Sequence, residues 1–237
     1  MKIIQPFITV AILLCSTACK KISSPYSVDT QKYLEKEAKY QYTAYRFFGQ
    51  EVAKQLPDAK ILLIKEKDKT DNTGKFNNIT TAQMNGLKDG LGNNTAIQQI
   101  HNISIPQTKG AYTDLYQHFN SKVLDNLLSQ YEDYDTIILM VDLPSDFKDS
   151  KLFKESSEDT PTLCLTQTSN INALLPYLQG QKPHIKVALT GSGKRYDWKA
   201  PYPDVDQIAF EQRWILVTPD NVNDVINANP KRFGIKK

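Results

Sequence analysis

Cysteine is scarce in this chain: three residues in 237, at positions 15, 19 and 164. Two stand in the first nineteen residues, so Cys164 is alone in all that follows and has no partner there for a disulfide. It sits between Leu163 and Leu165, in a run that reads as a strand, and is expected as a small buried hydrophobe, not a nucleophile. An excess of one charge is also missing. Twenty-nine basic residues face 26 acidic ones, a net of +3, which is not the composition of a nucleic-acid binder. The basic ending, Lys231, Arg232, Lys236 and Lys237, reads as a solvated tail. The apolar run Phe7–Leu14 is far short of the roughly 20 residues a membrane-spanning helix needs. Internal repeats and low-complexity tracts are absent. So are the G-x-S-x-G elbow, the H-E-x-x-H pair and the C-x-x-C motif, which removes several common catalytic signatures. His101, His118 and His184 are not spaced as metal pairs, so neither metal nor cofactor is expected.

What is present begins at the N-terminus. Lys2 precedes the apolar run, and the run ends in Ser16-Thr17-Ala18-Cys19. A basic start, a short apolar middle and small residues at the end form the layout of a secretory signal. With a cysteine directly after the small residues, it resembles the bacterial lipoprotein lipobox, although Ser16 stands where that motif usually carries leucine. The resemblance implies cleavage before Cys19, acylation of Cys19, and export to the periplasm or exterior on a lipid-anchored membrane surface. Two or three acyl chains would hold it there stably where one would not. The alternative is an ordinary cleaved signal with Cys19 incidental. Residues 1–18 are thus read as signal, 19–29 as tether and 30–237 as a single domain.

Within that domain, Leu34, Ala38, Tyr45, Phe48, Val52 and Leu56 recur at helical spacing and stop before Pro57. Packing against the body of the domain is the expected use of this stripe. Strand and helix patterns then alternate. Strands are predicted at 61–64, 97–105, 136–141, 162–166, 185–189 and 214–217. Helices are predicted around Met84, Leu87 and Leu91 with Gly92 as the stop, along Leu115, Phe119, Val123, Leu127 and Tyr131, and around Ile171–Leu178, which Pro176 must interrupt or kink. Thr218-Pro219-Asp220 reads as a helix start. This order predicts an α/β fold: three layers, doubly wound, around a mostly parallel six-stranded sheet of Rossmann-like or flavodoxin-like type, preceded by an amphipathic helix.

The helix bearing Gly86-Leu87-Lys88-Asp89-Gly90-Leu91, followed by a strand, a long helix and Tyr134-Asp135-Thr136-Ile137-Ile138-Leu139, resembles one lobe of the type I periplasmic-binding-type proteins. The resemblance runs over roughly residues 58–218 as pattern, and flavodoxin-like folds share it. It implies solute binding, which in that family closes two lobes around a ligand; this chain has length for one. No binding residue carries over.

Ligands of open parallel sheets sit beyond the carboxyl ends of the strands. That rule nominates Asp142, Gln167, Ser169 and the segment from Gly191 to Tyr202. Gly191, Ser192, Gly193 and Lys194 read either as an anion cradle or as a plain glycine turn; Leu189 and Arg195 exclude a P-loop. Trp198 and Tyr202, with Tyr196, read either as plates for a sugar or as a lid on the sheet end. Asp142 reads as a ligand contact or as a cap through Ser145 and Asp146. The sequence points to a non-catalytic solute-binding or envelope scaffolding module, with the membrane and a small polar ligand or envelope protein as partners. The alternative is an envelope enzyme acting on a polar metabolite or glycan through carboxylates such as Asp142 and Asp197.

Overall fold

A computed structural model describes residues 28–67, 77–93, 95–104, 118–154, 159–168, 171–180, 184–197, 199–230 and 233. Cys19 with the signal and most of the tether, Leu115, Ser169, Trp198 and the basic ending lie outside the described residues.

Helix α1, Val28–Gln55, starts two residues before the predicted domain boundary. Tyr40, Ala44, Phe48 and Val52, four apart, face inward and are almost fully buried. Two residues past α1 comes Pro57, and Asp58 takes φ 65° to turn the chain into β1, Lys60–Glu66. Helix α2, Asn77–Leu91, leads to β2, Ala96–Ile103. Gly92 ends α2 with φ 69°, its N–H donating to the Lys88 carbonyl at 3.1 Å. Then follow α3, Ser121–Leu128; β3, Thr136–Leu139; a 3-10 turn, Phe147–Asp149; and α4, Lys151–Lys154. Strand β4, Thr162–Leu165, leads through the 3-10 turn Ile171–Leu174 to α5, Leu175–Gln179. The chain closes with β5, Ile185–Gly191; α6, Asp206–Arg213; β6, Trp214–Val217; and α7, Val222–Ala228.

The six strands form one sheet in the order β2-β1-β3-β4-β5-β6. All neighbouring pairs are parallel except β5 with β6, where Gly191 opposes Trp214. The fold is therefore the predicted three-layer α/β type, Rossmann-like or flavodoxin-like. Strand alternation divides the core. Leu62, Ile64, Ile137, Leu139, Leu163 and Leu165 pack under α3, α4, α5 and α7. Ile61, Leu63, Ile138 and Cys164 pack under α1, α2 and α6. Central strands apolar on both faces explain the unbroken runs in the sequence. Among the described residues no helix is long and apolar enough to cross a membrane.

Two elements differ from expectation. The helix predicted along 115–131 does not run through Asn120, which is extended (φ −113°, ψ 175°); its side chain instead accepts from the Val123 N–H and starts α3. Starting there, α3 buries Ser121, Leu124 and Leu127 and leaves Val123 38% exposed, so the apolar stripe is shifted from the one predicted. The last helix starts at Val222 because the Asn221 side chain folds back onto the Thr218 N–H. Thr218 thus opens a turn, its carbonyl accepting from the Asn221 and Val222 N–H groups, and does not cap a helix. Pro176 acts as expected, closing the 3-10 turn and opening α5 near its first position.

Helices α1 and α2 run parallel and touch backbone to backbone. A methyl carbon on Gly86 would overlap the Tyr42 carbonyl oxygen, one on Gly90 would overlap that of Arg46, and one on Gly49 would lie 2.7 Å from that of Leu87. Glycine is required here for approach and not for its dihedral freedom. Alanine is the better helix former by about 1 kcal/mol, so Gly90→Ala would stabilise α2 if space allowed. Instead overpacking should cost about 1–3 kcal/mol, lowering Tm by about 3–10 °C for a domain of this size. Calorimetry on Gly86→Ala and Gly90→Ala checks this; an unchanged or raised Tm would show that the helices are not in contact.

Candidate functional site

Several of the residues nominated from sequence fall on adjacent strand ends. Asp142 follows β3, Gln167 follows β4, Gly191 ends β5 and Ser192–Lys194 follow it, so the sheet brings these to one carboxyl edge. Their hydrogen bonds run mostly inward. The Gln167 amide donates to the Met140 carbonyl at 3.3 Å, Thr168 Oγ1 to that of Leu189 at 3.0 Å, and Thr190 Oγ1 to that of Thr168 at 3.3 Å. Beneath them the Tyr45 hydroxyl donates to Thr166 Oγ1, which donates to the Leu139 carbonyl. These side chains carry on the pairing where the backbone ladder stops.

The Gly191–Lys194 turn serves α6. The Ser192 N–H donates to the Arg213 carbonyl at 2.7 Å, Ser192 Oγ to that of Gln212 at 2.9 Å, and Lys194 Nζ to that of Glu211 at 3.1 Å. Unsatisfied carbonyls at a helix end need such donors, and a lysine there also suits the helix dipole. The Lys194 N–H itself donates to Ser192 Oγ at 3.2 Å.

Asp146 accepts from the Ser121 N–H and hydroxyl at the start of α3. Burial acts to raise its pKa, but those hydrogen bonds outweigh it and hold the carboxyl below its ordinary value. Asp125 accepts from the Ser150 hydroxyl and the Lys151 N–H at the start of α4. Cys164 is fully buried, and burial pushes its thiol up to about 12. At neutral pH it is a packed thiol. Among the described residues no three His, Cys, Asp or Glu side chains gather as a metal site.

The aromatic segment folds onto α1. Tyr202 pairs with Thr43 Oγ1 at 2.6 Å and donates to Asp206 Oδ1 at 2.9 Å; Asp206 Oδ2 meets the Arg46 guanidinium at 2.6 Å. Burial first raises the Tyr202 phenol. Nearby, Arg213 makes a two-pronged pair with Glu37, at 2.6 and 3.0 Å. The guanidinium carbon lies 4.9 Å from the ring centres of Tyr40 and Tyr196 and 4.5 Å from that of Trp214. Three rings and a carboxylate thus enclose one cation. Burial pushes the Tyr40 phenol up to about 12.

A groove that sequence reasoning did not find lies beside this latch. It holds about 610 Å³ and opens between the first halves of α1 and α2, with Tyr202 and Asp206 closing one end. Each helix contributes positions at i, i+3, i+4 and i+7: Glu35, Ala38, Lys39 and Tyr42 from α1, and Asn78, Thr81, Ala82 and Asn85 from α2. The volume lies in the about 300–1,000 Å³ range of small-ligand sites. Tyr42 donates to Asp89 at 2.7 Å, and this hydrogen bond is the first cause that raises its phenol. The signal available in sequence was the stripe of small and amide side chains along α2, opposite its apolar stripe.

The sequence matches no protein-family model and no curated protein. The chain is therefore placed by its fold, a three-layer α/β domain, and by its groove.

The caged cation gives a direct test. Arg213→Ala leaves the Glu37 carboxylate, 12% exposed, without its partner and should cost about 3 kcal/mol in urea unfolding. Arg213→Lys keeps the charge but loses the planar fork and the stacking, so it should recover only part of the loss. A loss below about 0.5 kcal/mol, as for an exposed pair, would mean that the cage is not a latch.

Proposed function

We propose that this chain is a lipid-anchored, non-catalytic binding domain of the bacterial envelope, and that it takes a small polar ligand in the α1–α2 groove. The observation that carries the ligand site is the groove itself: about 610 Å³, open at the surface, with a wall fixed by the Thr43–Tyr202–Asp206–Arg46 hydrogen bonds. The anchor rests on Ser16-Thr17-Ala18-Cys19 after a short apolar run. The binding reading also rests on how the chain uses its reactive types. Asp146 and Asp125 bind helix starts, Lys194 binds a helix end, and Cys164 is packed in the core.

Expressed in a bacterial host, the wild type should partition with membranes and be cleaved by lipoprotein signal peptidase. Cys19→Ala should be exported without either property. Identical partition of both would remove the anchor.

The site is tested separately on the mature chain by amide chemical shifts. A panel of sugars, amino acids, nucleotides and inorganic phosphate should include a member that shifts residues 35–43, 78–85 and 202–206. Ala82→Trp, which fills the groove, should abolish those shifts. Shifts confined to the surroundings of Asp142, Gln167 and Gly191, with turnover of the added compound, would favour the enzyme reading.

A further inference from the structure

We infer that the ligand of the α1–α2 groove is a neutral oligosaccharide, an inference that rests on the binding-domain reading. Charge is the first reason. Asp206 is committed to Arg46 and Tyr202. Glu35, which accepts from Gln31 at 3.2 Å, and Lys39 stand one helical turn apart and are both exposed. Their opposite charges balance, so the lining carries no net charge to select a phosphate or an ammonium group.

The second reason is the kind of polar group on offer. Asn78, Thr81 and Asn85 line α2 and make no side-chain hydrogen bond in the described structure. Amides and hydroxyls both donate and accept, as sugar hydroxyls do. Along α2 the stripe from Asn78 to Asn85 measures about 10 Å by the helical rise, room for a disaccharide or part of a longer glycan.

The third reason is rigidity. Tyr42 and Tyr202 have their hydroxyls fastened to Asp89 and to Thr43 with Asp206, and their rings, packed beside Arg46 and Tyr40, are held in the groove lining for the C–H face of a pyranose to meet. Side chains already held lose little entropy when a ligand arrives. A docking protein helix is a poorer match: it needs a continuous apolar stripe, and the groove floor offers Ala38 and Ala82 between polar neighbours.

The test titrates chitotetraose and maltotetraose into the mature chain and follows amide shifts and Tm. At least one should bind, with shifts at Ala38, Tyr42, Thr81, Ala82 and Asn85. The double variant Thr81→Ala, Asn85→Ala alters two exposed side chains, so its own Tm should stay put while sugar affinity falls roughly tenfold or more. The inference is overturned if neither sugar binds, or if the double variant binds as well as wild type. Groove shifts with inorganic phosphate, triglycine or an amphipathic helical peptide, and none with sugar, would also overturn it while leaving the binding-domain reading in place. Silence of the groove toward every probe would remove both.

Discussion

Everything on one face of the sheet depends on how closely α1 approaches α2. Gly49, Gly86 and Gly90 remove the side chains that would hold the helices at ordinary separation. The helices run parallel, so their dipoles lie side by side and repel weakly. Packing must outweigh that repulsion, and the core beneath supplies it through Tyr45, Phe48, Val52, Leu87 and Leu91. The glycine seam begins opposite Tyr42. N-terminal to that point α2 carries Asn85, Ala82, Thr81 and Asn78, and the groove opens along these positions. The floor of the groove and the tight seam are thus two stretches of one helix pair, separated by where the glycines begin.

A second constraint fixes the groove wall. The segment after β5 must cross from the sheet edge to α6, and it is fastened at both ends. Ser192 and Lys194 bind the carbonyls that close α6, while Tyr202 and Asp206 bind Thr43 and Arg46 on α1. Between them the Arg213 guanidinium, enclosed by Tyr40, Tyr196 and Trp214 and paired with Glu37, ties α6 and β6 to α1. A partly buried cation is tolerated only with such complete compensation.

The strands were legible because central strands covered on both faces need continuous apolar runs, as at Ile61–Ile64 and Ile137–Leu139. Helix α1 was legible because its buried residues recur at three and four. Boundaries set by one side chain were not: Asn120 and Asn221 decide where α3 and α7 begin, and both do so by a hydrogen bond whose alternatives look identical in sequence. Asp142, Gln167 and Gly191–Lys194 lie along one edge because they end or follow neighbouring strands, which topology alone arranges. What those side chains bind depends on the neighbouring helix end, which sequence does not reveal. Tyr202 was assigned to the edge and instead lies against α1. The groove was missed because it requires two stripes, forty residues apart, to be placed side by side; Gly86 and Gly90 hinted at the pairing but not at its partner.

The rule that ligands collect at strand ends rests on two things: opposed crossovers leave a crevice, and polar groups there lack partners. Opposed crossovers occur between β1 and β3, where the strand order reverses: the chain leaves β1 toward α2 and β3 toward α4, on opposite faces. Farther along the same edge, at the ends of β4 and β5, the polar condition is met less well, since Gln167, Thr168, Thr190 and Ser192 bind carbonyls of their own sheet and helix. A ligand there must compete with bonds already made, and each exchange yields little net free energy. In the α1–α2 groove Asn78, Thr81 and Asn85 make no side-chain hydrogen bond in the described structure, so a ligand proposed there would displace only water, beside rings already held in place. The fold thus separates two features that open α/β sheets often combine: side chains at the ends of β4 and β5 serve cohesion, and the open polar positions lie on the helix pair whose glycines set its geometry.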